Sequence, residues 1–278
     1  MKKLLLSFAH PDDETFACGG TVAKYVESGW TVFLVCATRG EAGNGGPYGE
    51  ISPENLGNIR QKELEDAGTI LGINAVTFLG YKDGGLSNLN PGELEDKIYQ
   101  HMSGFEPDVV ITFEPNGISN HPDHAKISLS TTFAFQKYAR DLAVTTGEIP
   151  SRISQRARQT LLEADNEEES QPEPRLYYAC MPEGVATFLK KEKIIPQESF
   201  GKPWVGTPDK FITSVIDIRK FKTKKIDAMA AHKSQQADSH KFLALPKHPM
   251  MTQEYFILRM QGIHEVYMGK TDRIANRL

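Results

Sequence analysis

LLLSFAHPDDE, residues 4–14, sets an apolar run of Leu4, Leu5, Leu6 and Phe8 directly before His10, Asp12 and Asp13. Such a run reads as a strand buried on both faces, the form that parallel strands take when helices cover the sheet. Pro11 interrupts the strand, and the acidic residues after it suit the first turn of a helix, where free backbone N–H groups favour negative charge. One imidazole and two carboxylates are thereby delivered to the carboxyl end of a strand, where open α/β sheets keep their binding crevice. A second apolar run, Val109-Val110-Ile111-Thr112-Phe113, leads in the same way to HPDH at 121–124.

Strand and helix patterns alternate around these two segments. Residues 15–28 carry Phe16, Ala17, Val22, Ala23 and Val26 at helical spacing and stop at Gly29, and residues 30–37 form a β-branched and apolar strand. A helix is predicted from about Gly57 to Leu71, ending at Gly72, followed by a strand over 75–79 and a helix after Pro91. This order predicts an α/β fold, a Rossmann-like, mostly parallel sheet with helices on both faces. Residues 38–57 are rich in Gly and Pro and too long for a plain connection, so they are predicted as a loop beside the site. Later strands are expected over 176–181 and 212–218 and a helix over 222–232, while the tail beyond about 240 gives no clear pattern. The rhythm breaks between Arg140 and Pro174 into charged and Pro-containing sequence, predicting an exposed insertion at 140–174 in a single domain spanning 1–278.

Composition narrows the function. A chain of 278 residues, 39% hydrophobic and 24% charged, has the length and apolar content for a large core. A net charge of -4 argues against nucleic acid or an anionic membrane as partner, and no segment approaches the ~20 apolar residues of a membrane span. The opening MKKLLLSFA is too short an apolar run for a signal peptide, and no small-residue cleavage site follows it. Cys18, Cys36 and Cys180 are odd in number and widely spaced, which fits a reducing compartment; a cytoplasmic location is expected. Assembly into a homo-oligomer is left open.

A catalytic zinc takes three protein ligands of the His and carboxylate type and keeps one position open. His10, Asp13 and either histidine of HPDH would supply such a set, which ferrous iron also accepts. Asp12 and Asp13 leave the backbone in different directions, so one can bind metal while its neighbour faces water. His121 and His124 divide in the same way, and Asp123 between them would hydrogen-bond an imidazole and keep it charged. Taken alone, HPDD also reads as a turn and a helix cap; its pairing with HPDH is what favours chemistry.

AHPDDE, then PDVVITFEPNG and HPDH about a hundred residues later, resembles the PIG-L or LmbE-like zinc-dependent de-N-acetylases, which remove acetyl groups from N-acetylglucosamine-containing substrates. The resemblance runs over roughly residues 3–139, with a weaker echo near 228–235. It implies His10, Asp13 and His124 as metal ligands, Asp12 as general base, and His121 as the group that stabilises the oxyanion, oriented by Asp123. It also implies Glu41 in TRGEAG, Arg60 in IRQKELEDAG and Asp83 in KDGGL as sugar contacts, and His232 in AHKSQ as a pocket residue. Without it, Arg60 and Asp83 read as a solvated helix charge and a turn residue. One departure stands out: Ser119-Asn120 occupy the place where many relatives have Tyr-Gly.

The expected protein is therefore a metal-dependent hydrolase acting on a small-molecule N-acetylated sugar conjugate. The rivals are a non-catalytic, metal-dependent sugar-binding or regulatory protein and a hydrolase of a different amide in the same site.

Overall fold

The computed structural model describes residues 1–145, 173–244, 249–266 and 275–278. Its centre is an eight-stranded sheet in the order β10-β9-β5-β4-β1-β2-β3, with β8 also paired to β9. Five of these strands run parallel: β1 (Lys3–Phe8), β2 (Thr31–Thr38), β3 (Ala75–Tyr81), β4 (Val109–Phe113) and β5 (Arg175–Cys180). Leu4, Leu5, Leu6, Phe8, Val110 and Ile111 have no exposed surface, as continuous apolar strands in the middle of a covered sheet require.

Among the described residues four helices connect the parallel strands: α1 (Asp13–Glu27), α2 (Pro53–Leu71), α3 (Glu93–Phe105) and α4 (Pro122–Thr145). From β1 the chain steps outward through β2 to β3, then returns across to β4 and continues to β5. Right-handed crossovers place α1 and α2 on one face and α3 and α4 on the other, and the packing of α1 on α2 and of α3 on α4 agrees. The direction of winding reverses between β1 and β4, so the loops leaving those two strands diverge and open a crevice at the sheet's carboxyl edge.

The α/β expectation holds, with two differences. Helix α2 starts at Pro53, not near Gly57, because Ser52 caps it: its hydroxyl oxygen accepts the Asn55 N–H at 3.3 Å, with proline at the first helical position. The second is β9 (Gln253–Gln261), a nine-residue strand from the tail that lies antiparallel against β5. It is flanked by β8 (Ser214–Asp217) and β10 (His264–Glu265). Residues 140–145 finish α4, and most of the expected insertion at 140–174 lies outside the described residues. Among the described residues no helix is long and apolar enough to cross a membrane.

Strand β9 also fixes α1. Inside that helix Cys18 leaves helical geometry (φ -152°, ψ 18°), so Gly20 and Thr21 begin a second helical stretch with free N–H groups. The Glu254 carboxylate of β9 accepts both, at 2.9 and 2.7 Å, and pairs at 2.6 Å with Lys225. Lys225 lies on α6 (Lys222–Ala231), counting α5 as Glu183–Lys191, and also donates to the Phe16 carbonyl at 3.0 Å. Both charged side chains are almost fully buried. Breaking a buried pair on one side leaves an uncompensated charge, so Glu254→Ala is expected to cost about 3–5 kcal/mol, read as a lower midpoint in urea unfolding. An unchanged midpoint would contradict this role.

Candidate active site

The HPDD turn is built by backbone and carboxylate together. Asp12 sits in the left-handed region (φ 108°, ψ -27°), and its carbonyl accepts the Thr15 and Phe16 N–H groups at 3.0 and 3.1 Å as α1 begins. One oxygen of Asp13 turns back to accept the Ala9 and His10 N–H groups at 3.1 and 2.8 Å. Its other oxygen is thereby directed at His124 Nε2, 3.2 Å away.

The second arm comes from β4. Glu114 accepts the Asn116 and Ile118 N–H groups, both at 2.8 Å, curling the loop so that Gly117 adopts φ +67°. The Gly117 carbonyl then stands 3.0 Å from His124 Nδ1. A carbonyl only accepts, so His124 carries its proton on Nδ1 and leaves a lone pair on Nε2. His10 follows the same logic: its Nε2 is 2.9 Å from Asp83 and 3.4 Å from Asp123, which draws the proton there and leaves Nδ1 as a lone pair.

These lone pairs face each other. His10 Nδ1 and His124 Nε2 lie 3.1 Å apart, with Asp13 oxygens 3.2 Å from the second and 3.7 Å from the first. Two imidazole lone pairs and a carboxylate converging on one point repel one another unless a cation lies between them, and two nitrogens with an oxygen are the donor set of a divalent metal such as zinc. Burial disfavours charge on His10, but the bonds to Asp123 and Asp83 outweigh it and push the ring up to about 10. The surroundings thus call for a positive charge here, whether a proton or a metal ion. Burial also works against charge on Asp13, yet positive charge at His124 and His10, with the His10 N–H, holds its carboxyl well below the usual carboxylate range.

Asp12 is placed differently. Burial pushes its carboxyl up to about 6, moderated by the Arg60 guanidinium 3.5 Å away. Arg60 also donates to the Pro11 carbonyl at 2.6 Å and the Gly40 carbonyl at 2.9 Å, so it clamps the turn while lining the cavity. Behind the turn, Glu14 accepts the Asp12 N–H at 3.1 Å and meets His232 Nε2 at 2.9 Å, both side chains about 1% exposed.

The geometry corrects three expectations. His232 does not line the pocket: it lies beneath it, braced on Glu14. Glu41 is likewise absent from the lining and accepts the Asp83 N–H at 2.9 Å, holding the loop that carries Asp83. Asp123 does not orient His121 through its carboxylate. That fully buried group is captured by the Gly84 and Leu86 N–H groups, at 2.8 and 3.1 Å, and faces His10. His121 is instead held by the Asp123 backbone, whose N–H donates to Nδ1 at 3.1 Å. Burial, with His124 and His10 adding to it, lowers His121 to about 4, so the ring is neutral with its proton on Nε2. Asp83 lines the cavity and also bonds His10, which with burial opposing still brings its carboxyl down to about 2. Glu14 is the site residue that sequence reading missed, because it looks like an ordinary helix-cap acid.

His10, Asp12, Asp13, Arg60, Asp83, His121 and His124 border one cavity of about 520 Å³ at the switch point of the sheet, a volume in the range of small-molecule sites. A methyl group on Gly117 would meet His124 Cβ at 2.3 Å. Gly117→Ala is therefore expected to weaken any divalent cation held between His10 and His124 about 10- to 100-fold, measured by competition with a chromophoric chelator; unchanged affinity would contradict the role given to the Gly117 carbonyl.

The chain matches the PIG-L family, described as GlcNAc-PI de-N-acetylase, over residues 5–135, the part that holds both clusters. It is 30% identical to a 1D-myo-inositol 2-acetamido-2-deoxy-alpha-D-glucopyranoside deacetylase of Rhodococcus erythropolis, an alignment covering 92% of this chain and 90% of that one. Its fold is that of the N,N'-diacetylchitobiose deacetylase of Pyrococcus horikoshii (TM-score 0.62, 22% identity, 98% of this chain and 88% of that one). The 4-carboxy-2-hydroxymuconate hydratase GalB of Pseudomonas putida shares it as well (TM-score 0.63, 17% identity, 96% and 100%), so the fold alone does not choose the reaction. The family match over both clusters and the near full-length relative together lead to one assignment: this chain belongs to the PIG-L de-N-acetylase family.

Proposed function

We propose that the protein is a metal-dependent amidohydrolase that removes the acetyl group from an N-acetylglucosamine-containing small molecule. The observation that carries the reading is the pair of inward lone pairs on His10 and His124 beside Asp13, with Asp12 next to them but bonded to neither imidazole. The family membership and the relative acting on an acetamido-glucopyranoside support the choice of amide.

His10 Nδ1, Asp13 and His124 Nε2 would hold zinc, or ferrous iron, which take the same ligands. When bound, such an ion supplies Lewis acidity that makes water a nucleophile and polarises the acyl carbonyl. Asp12 takes the proton of the attacking water, a task suited to a carboxyl raised toward neutrality. His121, a neutral ring with its proton on Nε2, donates to the developing oxyanion. Asp12 then returns its proton to the leaving amine. Asp123 and Asp83 hold His10 in the tautomer that binds, Glu14 and His232 fix the backbone at Asp12, and Arg60 keeps the Asp12 carboxylate turned to the cavity. Asp83, at the cavity wall, is the candidate among these for a sugar hydroxyl.

Asp12→Asn is expected to keep stoichiometric zinc and lose about 10²–10⁴-fold in acetate release from N-acetylglucosaminides, whereas His124→Ala loses the zinc itself. Metal analysis beside an acetate assay checks both. Full activity of Asp12→Asn would overturn the mechanism, and zinc retained at full affinity by His124→Ala would overturn the ligand set.

A further inference from the structure

The aim of His121 depends on how its ring is held. Its Nδ1 takes the Asp123 N–H, which fixes the tautomer, but one hydrogen bond at one corner leaves the ring free to tilt about that corner. Three rings border it. His10 and His124 lie against it with ring centres 4.7 and 4.8 Å away. The third is Phe200, edge to face at 4.6 Å, and among the described residues it is the one ring in contact with His121 that comes from outside the two reactive loops.

Phe200 is an unfavourable choice for its own position. Strands β6 (Glu198–Ser199) and β7 (Lys202–Pro203) form a short antiparallel hairpin, and the two residues between them, Phe200 and Gly201, have φ of 52° and 71°. Positive φ at both central residues is the mark of a type I′ turn, which Asn-Gly or Asp-Gly fills at low cost. A bulky L side chain in the left-handed region is strained. Burial does not account for it, since Phe200 stays 57% exposed and is not among the residues that line the cavity. What the strained turn achieves is the ring contact with His121, and an outlier of this kind points to function.

The hairpin that carries the ring is anchored at its base and to the reactive loop. Just beyond β7 the Trp204 N–H donates to the Gln197 carbonyl at 2.9 Å, and the Trp204 carbonyl accepts from Lys190 at 3.0 Å. Asn120, directly before His121, has φ 62°, a conformation that Asn tolerates, and donates its side-chain amide to the Pro203 carbonyl at 3.1 Å. The Phe200 ring and the His121 imidazole are thus held on one frame.

We propose that Phe200 is a positioning residue for His121: the strained turn sets its ring against the imidazole and keeps the Nε2–H aimed at the developing oxyanion. The inference rests on the deacylation reading for what His121 does, and on the hairpin geometry for how its ring is held.

Kinetic coupling tests it. In zinc-loaded protein, Phe200→Ala is expected to lower kcat for acetate release from methyl N-acetylglucosaminide about 10- to 100-fold, the cost of a misaimed group, with KM and zinc affinity unchanged. Phe200→Tyr keeps the ring and is expected to restore the loss. In a His121→Ala background Phe200→Ala is expected to have no further effect, because residues that act through one group are not additive. Phe200→Asn separates positioning from stability: Asn suits the turn, so the urea midpoint is expected to hold or rise while kcat falls as in Phe200→Ala. Undiminished kcat in Phe200→Ala, or the same loss with and without His121, would overturn the proposal, and a lowered midpoint in Phe200→Asn would give the residue a structural role instead. Ring order is read without turnover. With carbon-13-labelled histidine, the His121 Cε1 signal, identified by its absence in His121→Ala, is expected to have a high order parameter in the parent protein and in Phe200→Tyr and to lose it in Phe200→Ala. Failure of the parent protein to release acetate counts against the deacylation reading, while an order parameter unchanged by Phe200→Ala overturns the positioning role on its own.

Discussion

The site depends on where two protons are held. His124 gives its Nδ1 proton to the Gly117 carbonyl and His10 gives its Nε2 proton to Asp83 and Asp123. With both protons drawn outward, the remaining ring nitrogens face each other as lone pairs 3.1 Å apart. Much of the surrounding structure serves those two commitments. Gly117 takes a left-handed conformation so that its carbonyl meets His124; Glu114 curls the loop that makes this happen. Gly84 and Leu86 neutralise part of the charge on Asp123 while leaving it turned to His10. An outward proton on each imidazole leaves an inward lone pair, the form in which a histidine can take a metal.

The sheet supplies the coarse positioning. The winding order β3-β2-β1-β4-β5 reverses direction between β1 and β4, and each of those strands leads into one of the two histidine-bearing segments. Short side chains can therefore meet across the gap although about 110 residues separate them in sequence. The antiparallel addition of β9 matters to the same site, since Glu254 on that strand secures the break in α1 immediately after the HPDD turn.

Sequence reading reached the parts that local patterning controls. Apolar runs gave β1 and β4, and the clusters behind them marked the two segments that meet at the cavity, because a strand end fixes both position and direction; patterning left open which histidine of HPDH faces His10, and the resemblance pointed to His124. It failed where a role depends on which distant backbone group captures a side chain. Asp123 beside two histidines offered no sign that the Gly84 and Leu86 amides would take its carboxylate and turn it toward His10. His232 looked like a pocket residue and Glu14 like a helix cap, yet they pair with each other across 218 residues, out of contact with the cavity. Strand β9 was missed because it follows no strand-helix rhythm and adds to the sheet from the tail.

The most direct test of the central claim is X-ray absorption spectroscopy at the zinc edge of protein loaded with one equivalent of zinc. The account predicts two imidazole scatterers and oxygen neighbours without sulfur, with one imidazole lost in His124→Ala and one in His10→Ala. A zinc environment with a sulfur neighbour, or one whose histidine count is the same in both variants as in the parent protein, would contradict it.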